Sequence, residues 1–300
     1  MMQIKNRQSF LDKEQGQKGM KKGMKKWKKL IIIGIVIIMG TGVCGCSMKR
    51  NDSNGKKLSE MGNKVAELVL NERQKEILEE VGLSTDVEEL TYMQKRAIIT
   101  IDEMLTAVEE KYNRSFSYAG YVAPGLLEYE HLIAYPSDGA RSFDSFEVRK
   151  VEGENGTEYE DDYMNVVVRD DFSEYMTEIA SEVFHTEAVK VFSDVEVTEA
   201  ILSEIPSDKK MYNGAVGSYN VIYVDSTFID VEAFQTYVDD LKKVLFENEL
   251  YSISEIICLK GNVIENLNKY NYSYYDISDS YIEWKEISVQ SYMEENNDIR

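Results

Sequence analysis

Residues 82–113 read GLSTDVEELTYMQKRAIITIDEMLTAVEEKYN, and their period sets the class of fold. Leu90, Met93, Ile98, Ile101, Leu105 and Val108 recur at the spacing of one helical face, with charged residues between them. Ser84-Thr85-Asp86 supplies capping side chains, and Glu88 and Glu89 fall in the first turn, where the helix dipole favours acids. This pattern predicts a helix from that cap to about Asn113. Upstream, Met61, Val65, Leu68, Ile77 and Val81 mark an apolar face over Leu58–Val81, and Gly82 stands where a helix stop is expected. The pair predicts an N-terminal helical hairpin.

Strand patterns follow. Ser115–Val122 alternates, with Phe116, Tyr118 and Tyr121 as its aromatic positions, and His131–Tyr135 and Ser142–Val151 are further strands. Glu154-Asn155-Gly156 predicts a hairpin turn, because Asn and Gly accept positive φ. The return strand is expected over Glu158–Arg169 with Val166, Val167 and Val168 as its buried end, followed by a helix from about Phe172 to His185. Beyond it the types alternate: strand Ala188–Ser193, helix Thr198–Ile205, strand Tyr219–Asp225, helix Val231–Glu247, strand Leu250–Leu259, a short helix Val263–Leu267 and strand Tyr281–Val289. The expected class is α+β: the helical hairpin, then a mixed, largely antiparallel sheet with packed helices. The expected division is a first unit over 58–195 and a second over 196–300, either closely packed lobes or one domain.

Ahead of all this, residues 21–46 read KKGMKKWKKLIIIGIVIIMGTGVCGC. Six lysines precede an apolar run from Leu30 to Val43. Fourteen residues fall short of the roughly 20 that cross a bilayer core, but they suit the apolar part of an export signal. Val43-Cys44-Gly45-Cys46 resembles the lipobox of bacterial lipoproteins. The resemblance implies cleavage between Gly45 and Cys46, acylation of Cys46 by a diacylglyceryl group, and a protein anchored by lipid to the cell membrane, facing away from the cytoplasm. Cys44 departs from the Ala or Ser usual there. Residues 1–45 are then the signal peptide, with Met20 or Met24 as alternative starts, and residues 46–57 a polar tether. The letters Gly40-Thr41-Gly42-Val43-Cys44-Gly45 also match G-x-G-x-x-G, but not between a strand and a helix, where a dinucleotide fold needs it. Residues 82–113 with the following FSYAGYV are similar to uncharacterised lipoproteins of low-GC Gram-positive bacteria over about Val81–Phe184, a resemblance that carries no activity.

Charge and cysteine content narrow the function classes. The first 45 residues hold ten of the 34 basic residues and two of the 54 acidic ones, so the remainder carries a formal charge of −28. That disfavours nucleic acid, whose phosphates are bound by Lys and Arg. With Cys44 cut away and Cys46 acylated, Cys258 is left alone in an apolar run, a core residue without a disulfide. His131 and His185 are the only histidines, and no zinc or triad spacing accompanies them. No cofactor or metal is expected. Glu152–Glu158 approximates a calcium loop poorly, and Asp276-Ile277-Ser278-Asp279-Ser280 matches an ion-binding motif without the buried strand that should precede it.

The aromatic cluster Tyr272, Tyr274, Tyr275, Tyr281 and Trp284 is the expected contact surface, since rings with polar tips suit sugars or proteins. The expected function is therefore a lipid-anchored, non-enzymatic binding or interaction module with a protein or glycan partner. The alternatives are a solute-binding lipoprotein of a transporter, with a ligand cleft, and a wall- or glycan-active hydrolase, with two apposed carboxylates.

Overall fold

A computed structural model describes residues 61–126, 128–153, 156–197 and 204–290. The protein is α+β, with helices and two separate four-stranded sheets. The chain divides into two compact units between Asp161 and Asp162. The division expected at 195/196 instead cuts β5 (Val189–Val197), which is bonded to the helix before it and cannot be parted from it.

In the N-terminal unit the helix expected over Leu58–Val81 is broken. Residues 61–66 are helical, 68–71 are not, and α1 starts afresh at Glu72 and runs to Glu80. Asn71 is the reason: its side chain accepts the Gln74 N–H at 2.8 Å, while the Gln74 side chain accepts the Asn71 N–H at 3.0 Å. This reciprocal cap satisfies amides that a continuous helix would have bonded itself. The same device moves the next helix. Asp86 caps only a short 3-10 turn, Val87–Glu89, and α2 (Tyr92–Tyr112) begins behind Thr91 and Gln94, which form a second capping box. Met93, expected inside, is therefore 56% exposed, whereas Ile98, Ile101, Met104, Leu105 and Val108 are buried. Arg73 of α1 holds Asp102 (2.7 Å) and Glu109 (2.6 Å) of α2.

The first sheet is an antiparallel meander, β1 (Phe116–Val122), β2 (His131–Pro136), β3 (Phe146–Gly153) and β4 (Gly156–Asp161). Phe116, Tyr118, Leu132, Ala134, Pro136, Phe146 and Val148 are its buried positions among the described residues. Gly153 pairs with Gly156 across the expected turn, whose residues 154 and 155 lie outside the described ones.

The C-terminal unit opens with the largest departure from expectation. β4 ends at Asp161, and Val166-Val167-Val168 lie inside a helix, α3 (Tyr163–Phe184), not a strand. Three β-branched residues mimic a strand locally, but Val168, Phe172, Met176, Ala180 and Phe184 form a buried stripe of strict four-residue spacing. Burying that whole stripe outweighs the local preference. The second sheet has the order β5-β6-β7-β8, with β6 (Val216–Asp225), β7 (Ser252–Leu259) and β8 (Tyr281–Val289). β6 and β7 are parallel and joined through α4 (Phe234–Glu247); the other pairings are antiparallel. The core lies between α3, α4 and one face of this sheet, where Ile222, Val224, Ile256 and Cys258 meet Phe172, Phe234, Leu241 and Leu245. The helix expected over Thr198–Ile205 falls mostly on residues 198–203, outside the described ones.

A second, polar stripe on α3 seals the outer edge of β5. The Val191 N–H donates to Thr177 Oγ1 (3.2 Å), Ser193 N–H to Ser173 Oγ (3.1 Å) and Val197 N–H to Asn165 Oδ1 (2.9 Å). The two hydroxyls donate back into their own helix, Thr177 to the Ser173 carbonyl and Ser173 to the Arg169 carbonyl, each at 2.8 Å. Each hydroxyl thus keeps a lone pair for the strand. Ser173→Ala and Thr177→Val each strip an acceptor from a strand amide, and each is expected to destabilise the unit by about 1–3 kcal/mol in urea unfolding. A change below about 0.5 kcal/mol in both would show that the strand amides are satisfied otherwise.

Candidate functional site

The parallel pair β6 and β7 ends at Asp225 and Leu259, and each strand runs straight into a tight turn. Asp225 closes an apolar run, is 3% exposed, and binds both turns: Oδ1 accepts the Thr227 N–H at 2.8 Å and Oδ2 the Asn262 N–H at 3.1 Å. One carboxylate therefore fixes the spacing of two loops. The turns approach so closely that a Cβ on Gly261 would lie 2.8 Å from Thr227 Oγ1. Asn262 carries a left-handed φ of 61°, a conformation that Asn tolerates better than other side chains.

The start of antiparallel β5 reaches the same end of the sheet. The Asp225 N–H donates to the Ala188 carbonyl (3.0 Å), and Thr186 Oγ1 accepts the Ala188 N–H (3.1 Å). Lys190 extends beneath the following segment and donates to the Leu267 carbonyl (2.9 Å). Between these pieces lies a cavity of about 510 Å³, lined by residues 186–190 and by Asp225, Phe228, Asn262, Ile264 and Glu265. Its volume falls within the usual range of small-molecule pockets, about 300–1,000 Å³. Its place, outside the carboxyl ends of parallel strands, is where open α/β sheets hold ligands. Ala188, Phe228 and Ile264 supply apolar wall, Asn262 an amide, and Lys190, Asp225, Glu187 and Glu265 the charges.

None of these residues was singled out from the sequence as a site. The available signal was Asp225, an acid closing the apolar strand Tyr219–Asp225, together with the Gly261-Asn262 turn after the next strand. The residues of the expected contact surface are half-buried, Tyr274 excepted. Tyr272, Tyr275, Tyr281 and Trp284 pack with Ile264, Leu267 and Ile277 over the second face of the sheet, against Val221, Tyr223, Ile257 and Leu259. Tyr272 stacks on Phe192 at 4.7 Å, and its carbonyl accepts the Tyr223 hydroxyl at 2.7 Å. Only Tyr274 of the five is strongly exposed, at 66%. The reason is that the face away from α3 and α4 needs a cover, and the rings of residues 272–284 provide it. Gly45 and Cys46 lie outside the described residues.

The remaining chemistry-bearing groups do not converge. His185 ends α3 in a left-handed conformation beside Tyr237, and His131 Nδ1 lies 3.0 Å from the Tyr129 carbonyl. Cys258 is buried in the core, and burial pushes its thiol up to about 12. Asp276 accepts the Ser278 N–H in an exposed loop. Among the described residues no group of three or more His, Cys, Asp or Glu side chains is arranged to hold a metal ion.

Phenol–carboxylate bonds recur in both units. Tyr112 donates to Asp161 (2.7 Å) and Tyr121 to Glu130 (2.6 Å) in the first; Tyr212 donates to Asp171 (2.7 Å) and Tyr219 to Glu255 in the second. Burial, and then the neighbouring carboxylate, raise all four phenols, Tyr112 to about 12. Burial raises Tyr272 and Tyr281 to about 12 as well.

No protein-family model and no curated protein matches this chain. Among solved structures it is similar to a DUF5037 family protein from Ruminococcus gnavus, at 13% identity and a TM-score of 0.31 over 64% of this chain and 92% of that one.

Two outcomes follow from this geometry. Asp225→Ala should release the Thr227 and Asn262 amides together, costing about 1.5–3 kcal/mol for each bond lost; hydrogen exchange checks this, and loss at one amide alone would refute the shared tie. The raised phenols stabilise the folded state fully below the ordinary tyrosine value near 10, and that contribution is lost as pH rises toward 12. Absorbance titration should show phenols ionising late and together with alkaline unfolding, and normal ionisation near pH 10 in the folded protein would contradict it.

Proposed function

We propose that this chain is a lipoprotein, held at the outer side of the cell membrane by acyl groups on Cys46, whose folded part captures a small solute in the cavity beyond β6 and β7. The observation that carries the binding reading is the 510 Å³ cavity with its converging charges at the carboxyl ends of parallel strands. The anchor reading is supported by Val43-Cys44-Gly45-Cys46 behind a basic and then apolar segment too short to span a bilayer. A diacylglyceryl group supplies the two chains that stable anchoring takes. We read the site as one of capture and release: its lining contains neither His nor Cys, and its buried acid, Asp225, is engaged by two backbone amides. Within this reading the N-terminal helices form the hairpin ahead of a largely antiparallel arrangement of strands, which the Arg73 bridge between α1 and α2 supports.

Cys46→Ala should abolish incorporation of labelled palmitate and leave uncut precursor, whereas Cys44→Ala should do neither. Persistent labelling of Cys46→Ala would remove the anchor assignment. For the cavity, thermal-shift screening of the detergent-extracted full chain against a small-metabolite library should give at least one solute that raises Tm. The filling variant Ala188→Trp should lose that rise. A rise retained in Ala188→Trp would place binding elsewhere.

A further inference from the structure

Resting on the solute-capture reading, we infer that the solute is a small zwitterion of the free amino-acid type. The cavity lining carries both signs of charge. Lys190 is held by the Leu267 carbonyl at 2.9 Å and the Glu265 carbonyl at 3.5 Å, which use two of its three N–H groups and leave one. Asp225 is spent on the two turns. Glu187 and Glu265 are exposed at the rim, and among the described residues neither lies within ion-pair distance of a cation. The lining therefore offers one ammonium with a free donor and two carboxylates with free acceptors.

A simple anion would meet three carboxylates for one ammonium, and a simple cation would meet Lys190. A molecule bearing a carboxylate and an ammonium satisfies both: its carboxylate on Lys190 and the Asn262 amide, its ammonium between Glu187 and Glu265. Phe228, 62% exposed, and Ile264 leave apolar wall for a side chain. Charge-assisted hydrogen bonds dominate such recognition, and losing one costs about tenfold to a hundredfold in affinity.

The test is calorimetric titration of the full-length protein in detergent with the twenty free amino acids. For the tightest of these, the decarboxylated amine and the deaminated acid are titrated too. Each should bind about tenfold to a hundredfold more weakly than the amino acid. Lys190→Met should bring the amino acid down to the affinity of its amine, while Lys190→Arg, which keeps the charge, retains most of the preference. Glu187→Gln with Glu265→Gln should bring it down to that of the acid. If the amine binds as tightly as the amino acid, or if no amino acid binds while another library solute raises Tm in a manner abolished by Ala188→Trp, the zwitterion assignment is overturned and solute capture stands. If no solute binds at all, solute capture itself fails, and this assignment with it.

Discussion

The outer edge of β5 is the constraint around which the C-terminal unit is organised. An edge strand presents a row of unbonded amides, and proteins must cover, charge or shorten it. Here α3 covers it with side chains placed a whole number of four-residue steps apart, Asn165, Ser173 and Thr177, beside an apolar stripe of the same period. One helix thus packs on the face of a sheet and closes its edge. This double duty explains why the chain divides ahead of α3: a cut after the helix would expose both stripes at once.

Much of the fold was legible where a single physical signal dominates. β8 was read at its observed bounds, and the helix expected over Val231–Glu247 differs from α4 only in its first three residues. Failures came where two signals compete. Asn71 and Thr91 are polar residues within apparently continuous helical periods, and each proved to be the start of a new helix because a glutamine three residues on completes its cap. Val166-Val167-Val168 looks like strand because propensity is local, whereas the stripe that decides the matter extends from Val168 to Phe184.

The cavity was less legible than the fold, for a related reason. Its residues come from three segments, 186–190, 225–228 and 262–265, brought together by the antiparallel pairing of β5 with β6 and the parallel pairing of β6 with β7. A parallel pair leaves no turn signature, since its strands are separated by a helix. The tyrosine cluster, by contrast, is conspicuous in sequence because its members are near neighbours. Proximity along the chain there reflects a cover for one sheet face, and rings with polar tips serve that role while their hydroxyls stay bonded or wet.

The phenol–carboxylate bonds bear on how so acidic a chain tolerates its surroundings. With 54 acidic and 34 basic side chains, cations are too few to hold every carboxylate. Tyrosine hydroxyls take up part of that shortfall without adding charge at Asp171 and Glu255, and they bond beside Lys111 at Asp161 and beside Arg96 at Glu130. Coulombic attraction between exposed ions is damped within about 8 Å at physiological ionic strength and about 3 Å at molar salt. A bond from a neutral donor depends far less on that screening. These four part-buried contacts therefore weaken little as salt is raised.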